Sequence, residues 1–188
     1  IKDYKNIIVL SYHINYWNHL GWIDTFSDAN HTDYQSNYER RFDRNSYAPQ
    51  MVLNGRSEFD GANVRLLNSS LKEQSTTEKL RTPQINRNEN KSVSVSYDFF
   101  TEKKYDKAYA LLIIDSYDVA IENGPNIGKL MTNTNIVINR APLHLDSSKG
   151  NYTFELAPNV KETDQFKVAI ILQDNNLNIV GASVSKIQ

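Results

Sequence analysis

From Lys91 onward the sequence is punctuated into short apolar stretches, and this limits the possible fold more than any other feature. Val93, Val95, Tyr97 and Phe99 alternate with polar neighbours. Ala108 to Ile114 and Phe166 to Leu172 are dense apolar runs, while Ile136-Val137-Ile138, Tyr152-Thr153-Phe154-Glu155-Leu156 and Ile179 to Val184 complete the series. Turn-rich pieces such as Asn123-Gly124-Pro125-Asn126 and Asp174-Asn175-Asn176 stand between them. A period of two puts alternate side chains on one face of a strand, and Gly, Pro and Asn supply the backbone angles that turns need. Several such strands in succession predict an antiparallel β-sandwich over residues 91–188.

The first third has a different texture. Ile7-Ile8-Val9-Leu10 is apolar, β-branched and without alternation, which predicts a strand covered on both faces in a parallel sheet. Ser11 to Phe26 reads as a long loop anchored by its aromatic side chains. Ser27 to Phe42 reads as a helix: Asp28 or Thr32 can cap it, and Tyr34, Tyr38 and Phe42 recur along one face that should meet a sheet. Gln50 to Leu53 and Arg56 to Phe59 are strands around Asn54-Gly55, the preferred pair for a two-residue hairpin turn because both positions accept positive φ. Val64, Leu67 and Leu71 then mark an amphipathic helix from Ala62 to about Gln74. Residues 75–90 have few large apolar groups and read as a linker. The expected organisation is an α/β domain over 1–74, a linker over 75–90 and an all-β domain over 91–188.

Charge removes several functions. The chain of 188 residues carries 21 basic and 22 acidic side chains, a net charge of -1, with no strong run of either sign. Nucleic acid and anionic membrane surfaces are therefore not expected partners. No apolar run approaches the roughly 20 residues of a membrane helix. The sequence opens at Ile1 without Met, directly before a strand of buried character, so a processed or trimmed product is expected. It contains no Cys, which excludes disulfides and thiolate metal sites within these residues. Glycosylation triplets begin at Asn30, Asn68, Asn90 and Asn151, a frequency that abundant Asn produces by chance.

Few residues are arranged for chemistry. His13, His19, Asp24, His31 and Asp33 match no metal-site spacing, so no metal and no cofactor are expected, and loop and cap roles explain them. His144 stands alone. Tyr16, Trp17 and Trp22 form either a stacking platform for a ligand or, as such clusters more often do, the core of the long loop; Trp22 reads as loop core, and Trp17 is open between the two. There is no glycine-rich phosphate loop, no Gly-x-Ser-x-Gly elbow and no zinc-protease helix motif. Tyr47-Ala48-Pro49 precedes a strand; only about 5–6% of X-Pro bonds in folded proteins are cis, so local sequence alone favours trans.

Two long segments carry a resemblance. Ser11-Tyr12-His13-Ile14-Asn15-Tyr16-Trp17-Asn18-His19-Leu20-Gly21-Trp22-Ile23-Asp24 and Tyr47-Ala48-Pro49-Gln50-Met51-Val52-Leu53-Asn54-Gly55, in that order, resemble a bacterial secreted thioredoxin-like family, domain of unknown function 1223. Glu122 to Lys129, Gln173-Asp174 and Val180-Gly181-Ala182 are similar to its carboxy-terminal half. The resemblance implies a thioredoxin-like domain whose first strand and first helix, with a Cys-x-x-Cys-type motif, precede these residues. That strand would sit between Ile7–Leu10 and Pro49–Leu53, leaving a central gap in the sheet for an upstream segment or another element to fill. The resemblance also implies a cis-proline loop, an extracytoplasmic location (periplasmic or secreted), and a groove lined by Tyr47, Ala48, Pro49 and Gln50 with His13 and Trp17 nearby. Where the family usually has acidic residues, this chain has Asn15 and Asn18.

Two functions follow as expectations. One is thiol–disulfide exchange with a protein or peptide thiol partner, conditional on a cysteine pair upstream of Ile1, since this chain itself has no thiol and its catalytic residues are unknown. The other is a non-catalytic peptide- or protein-binding module on the same scaffold.

Overall fold

A computed structural model describes residues 7–73, 77–89, 91–158, 160–161 and 164–186. The elements run α1 (Ala29–Phe42), β1 (Gln50–Leu53), β2 (Ser57–Asp60), α2 (Val64–Glu73), β3 (Glu78–Lys79), β4 (Gln84–Asn88), β5 (Ser92–Asp98), β6 (Lys107–Ala120), β7 (Leu130–Leu143), β8 (Lys149–Glu155), β9 (Phe166–Gln173) and β10 (Ile179–Lys186). They form three sheets: five strands in the order β3-β10-β9-β6-β7, three in the order β4-β5-β8, and the β1-β2 pair.

The two dense aliphatic runs become β6 and β9, inner strands of the large sheet, and their lack of alternation has a direct cause. Both faces are covered. Leu112, Ile114, Val168, Ile170 and Leu172 face Val93, Val95 and Phe154 of the three-stranded sheet and form the main core. Leu111, Ile113, Val137, Ala169 and Ile171 face the other way, where Ile8, Leu10 and Tyr12 pack on them. Each aliphatic or aromatic side chain buried this fully contributes about 1.5–3 kcal/mol.

α1 lies where the sequence places it. The Asp28 carboxylate accepts from the Asn30 backbone N–H at 2.7 Å and caps the helix, and Asp43 closes it at φ 52°. Its aromatic face does meet a sheet: the Tyr38 hydroxyl donates to the Leu177 carbonyl at 3.2 Å and accepts from Gln173 Nε2 at 3.0 Å, at the β9–β10 turn. The hairpin turn has Asn54 at φ 52° and Gly55 at φ 66°, as the pair predicts; Arg56 N–H closes it on Leu53 O at 2.9 Å, and the ladder resumes at Leu53 opposite Ser57. A methyl group on Gly55 would come within 1.9 Å of the Leu177 carbonyl oxygen, so this glycine permits the hairpin tip to seat against the same turn.

The thioredoxin-like α/β domain expected over 1–74 is not what forms. The described residues are mostly β, with two α-helices, one 3-10 turn at Asn18–Leu20 and three sheets. Ile7–Leu10 builds no ladder; a single parallel bridge joins Ser11 to Ile136 at the outer edge of β7, with Ser11 N–H on Asn135 O at 2.8 Å and Val137 N–H on Ser11 O at 2.9 Å. The apolar run that read as an inner parallel strand finds its burial on the outward face of the five-stranded sheet instead. Gln50–Leu53 pairs only with β2, antiparallel, among the described residues. Residues 77–89, read as linker, supply β3 and β4, and Leu80 joins the main core. Ile1, the expected helix end at Gln74 and the triplet at Asn90 lie outside the described residues.

Candidate functional site

The segment Tyr47–Gln50 is fixed by α1 on one side and β2 on the other. Gln35, at the centre of α1, donates through Nε2 to the Tyr47 carbonyl at 2.8 Å and to Gln50 Oε1 at 3.2 Å. Glu58 on β2 accepts from the Tyr47 hydroxyl, from Gln50 Nε2 at 3.3 Å and from Arg44 Nε at 3.0 Å. Its carboxylate is 6% exposed, so three donors on a nearly covered anion are what make its ionised form tolerable. Burial alone would raise the Glu58 pKa, but the hydrogen bonds from Tyr47, Gln50 and Arg44 hold it below the usual carboxylate range. The Tyr47 phenol is pushed up to about 12, by burial first and then by its bond to that carboxylate.

Between these anchors Ala48 and Pro49 are exposed, and the bond joining them is cis. The Pro49 carbonyl accepts from Gly61 N–H at 2.8 Å, which ties the start of β1 to the end of β2. No strand lies beside the outer edge of β1 among the described residues.

His13 and Trp17 belong to the loop that leads into α1. His13 Nδ1 pairs with Asp24 Oδ2 at 2.6 Å, while Asp24 Oδ1 accepts from Phe26 N–H at 2.9 Å. Burial would raise the Asp24 pKa; the bonds from His13 and Phe26 reverse the sign and lower it. The His13 carbonyl accepts from the Asp28 N–H at 3.2 Å and lies 3.1 Å from a ring nitrogen of His31. His31 is buried, and that burial lowers its pKa and keeps the ring neutral. Asn15 bonds Thr32 through its backbone N–H and its side-chain carbonyl, and Asn18 bonds Ser27 and the Asp24 N–H. The amides standing where acids were expected thus fasten the loop to the start of α1. Trp17 is 48% exposed, with Tyr16 and His19 beside it, and Trp22 packs against Gly124 of the β6–β7 turn. Tyr16 lies against Gln35, which links this loop to the Tyr47–Gln50 segment through α1. Among the described residues no three of His, Asp and Glu converge as metal ligands.

A second concavity escaped the sequence reading. It is an open cleft of about 560 Å³ between α1, β6, β7 and the β9–β10 turn, lined among others by Arg40, Arg41, Lys107, Tyr109, Arg140 and Gln173. Its residues are scattered over more than 130 positions of sequence. Tyr34 stood out as part of a helix face, Asn175 and Asn176 as turn residues and Gln173 within the Gln173-Asp174 pair, but none as part of a binding site, and Lys107 and Arg140 sit in strands where nothing local distinguishes them.

The sequence matches the model of a family described as protein of unknown function DUF1223 over residues 1–173. The chain belongs to that family. A crystal structure of an Agrobacterium tumefaciens protein, solved by a structural genomics consortium, is similar to it at 26% identity and a TM-score of 0.61, covering 93% of this chain and 78% of that one. No curated protein matches. Among the described residues of this DUF1223 chain, the β1 edge beside Ala48-Pro49 and the basic cleft behind α1 are two arrangements at the surface.

Proposed function

We propose that this DUF1223 chain is a non-catalytic module that binds an extended peptide or protein segment in an extracytoplasmic compartment, with the outer edge of β1 as receiving strand. The observation that carries this is the edge of Gln50–Leu53, which no strand accompanies among the described residues, held at its start by Gln35 and Glu58 and bordered by exposed Ala48 and Pro49. An incoming strand pairs with main-chain groups for affinity, and side chains beside the edge select what it carries. In this reading Tyr47 and Gln50, whose side chains are held by Glu58 and Gln35, make that selection. The five- and three-stranded sheets, read as a β-sandwich, serve as the rigid body that carries the edge. The resemblance to a secreted family supports the compartment, and no helix of the described residues is long and apolar enough to cross a membrane. None of the 188 residues is Cys, so thiol–disulfide exchange would need a cysteine pair supplied by residues upstream.

The test is selection of extended peptides from a displayed random library, followed by amide mapping on the isotopically labelled chain. A selected peptide should bind in the micromolar range, about -8 kcal/mol, and shift the amides of Gln50–Leu53 most. A library that yields no binder, or binders whose shifts spare those four residues, would sink the proposal.

A further inference from the structure

The outward face of the five-stranded sheet bears charged groups at one end that pair with no carboxylate among the described residues. Cross-strand neighbours share a face, and the register places Leu111 opposite Arg140, Tyr109 opposite Ile171, and Lys107 opposite Gln173. α1 crosses this face and adds Tyr34, Asn37, Arg40 and Arg41 to the cleft walls. Four cationic side chains therefore line one concavity, and no carboxylate is among its lining residues. Neither Lys107 nor Arg140 forms a salt bridge among the described residues. Like charges gathered this way repel, and a fold does not need them together.

Arg140 is held in a geometry suited to recognition. Its guanidinium carbon lies 3.4 Å from the Tyr109 ring centroid and 4.1 Å from that of Tyr34. The two rings fix the guanidinium by its surroundings while leaving its N–H groups uncommitted to any carboxylate, and a planar fork of that kind matches an oxyanion. Two acids lie beside the lining residues, and Asp174 also feels the charge of Arg41. Asp106 accepts from Asn175 N–H at 2.9 Å, and Asp174 accepts from the backbone and side chain of Asn178 at 2.8 Å each.

Gln173 adds a second requirement. Its amide nitrogen donates to the Leu177 carbonyl at 2.9 Å and to the Tyr34 and Tyr38 hydroxyls at 3.2 and 3.0 Å. The Leu177 carbonyl can only accept, which fixes the orientation of the amide. Its carbonyl oxygen is buried without a hydrogen-bond donor, in a residue 1% exposed that lines the cleft. A buried acceptor left unpaired costs about 1–3 kcal/mol, so a donor arriving with the ligand would be favoured there.

We propose that this cleft is a binding site for a small oxyanion ligand that also carries a hydroxyl group, with Arg140 as the fork for the oxyanion, Lys107, Arg40 and Arg41 as supporting charges, and Gln173 as acceptor for the hydroxyl. The site is separate from the β1 edge and stands or falls without it. Phosphate esters and carboxylates share this chemistry, and the ligands tested tell them apart.

The experiment titrates the labelled full chain with a hexose phosphate, a hexuronate and inorganic phosphate in low-salt buffer, reading amide and Arg side-chain shifts. Saturable shifts around Arg140, Lys107, Asn175 and Asn176 are expected with one of the two hydroxylated ligands, and the one that binds identifies the oxyanion. Arg140→Lys, which keeps the charge but loses the fork, should weaken that binding about tenfold or more, whereas Lys129→Ala on the remote β6–β7 turn should leave it unchanged. Should Arg140→Lys fail to fold, Lys107→Gln reads the same loss. No saturable shift at about 10 mM of any ligand, ten times a 1 mM dissociation constant, overturns the proposal, as does binding that neither variant weakens. Inorganic phosphate binding as tightly as the hexose phosphate overturns the role of the hydroxyl and of Gln173.

Discussion

The β body and the first third of the chain are held together by different forces. In the body, Leu111 to Ile114 and Val168 to Ile170 are almost wholly buried in two stacked apolar clusters. In the first third, α2 has no buried residue and α1 has only His31 and Tyr38. Several of its joints to the body are polar: Asn54 O with Ile179 N–H, the Tyr38 hydroxyl with Leu177 O, Arg41 with Asn178, and the bridge at Ser11. A buried aliphatic contributes about 1.5–3 kcal/mol and a typical hydrogen bond about 0.5–1.5 kcal/mol net. Apolar area therefore sets stability in the body, and the first third, which adds Ile8, Leu10, Tyr12 and Phe26 to those clusters, uses directional bonds as well to position the hairpin that carries the β1 edge.

The contrast is sharpest in the core. Phe154→Ala removes a ring that is 1% exposed between the two sheets and should cost about 3–5 kcal/mol in urea unfolding. Gly55→Ala should cost about 2–3 kcal/mol, because a side chain is strained at φ 66° and its methyl would meet the Leu177 carbonyl. Here the informative readout is amide exchange at Ile179, which should accelerate as the hairpin tip lifts while β6 remains protected. Gln173→Leu strips donors from Tyr34, Tyr38 and Leu177 and should cost about 1–3 kcal/mol, seen as a lowered thermal midpoint.

Acid should loosen the first third before the body. Burial would raise the pKa of Asp24 and Glu58, both in the first third, yet hydrogen bonds to each prevail and lower it in the fold. A carboxylate with a depressed folded pKa gives stability that is present above its unfolded value, 3.8 for Asp or 4.5 for Glu, and lost as pH falls through the folded one. His31 acts in the same direction from 6.5 downward, since its depressed pKa makes protonation unfavourable in the fold. Both tryptophans, Trp17 and Trp22, lie in the first third, so their fluorescence should change at higher pH than the far-ultraviolet signal of the sheets. Coincident transitions would contradict the difference. The smallest effect belongs to α2: Val64→Ser, at a residue 62% exposed, should change stability by less than about 0.5 kcal/mol.

Local signals in the sequence located elements well and their partners poorly. Val93 to Phe99, Ala108 to Ile114 and Phe166 to Leu172 mark strands because alternation and apolar density are read within a few residues, and the Tyr34, Tyr38 spacing marks the face by which α1 docks. The pairing of Ser11 with Ile136, the descent of Leu80 into the core and the seating of Gly55 on Leu177 join residues more than a hundred positions apart, and no local period encodes them. The Ile7–Leu10 run shows the limit: apolarity on both sides announced burial, but a parallel sheet and the outer face of a β body satisfy it equally. Tyr47 to Gln50 stood out by its motif, whereas Arg140 and Lys107 acquire meaning only from the rings and helix that fold over them.

Native-state amide exchange compares the two regions most directly. Leu111 to Ile114 should exchange only through global unfolding, and the outward amides of Gln50 to Leu53 roughly a thousandfold faster, a gap of about 4 kcal/mol. Equal protection in the two segments would mean that the β1 edge is covered and that the first third is as firmly built as the body it rests on.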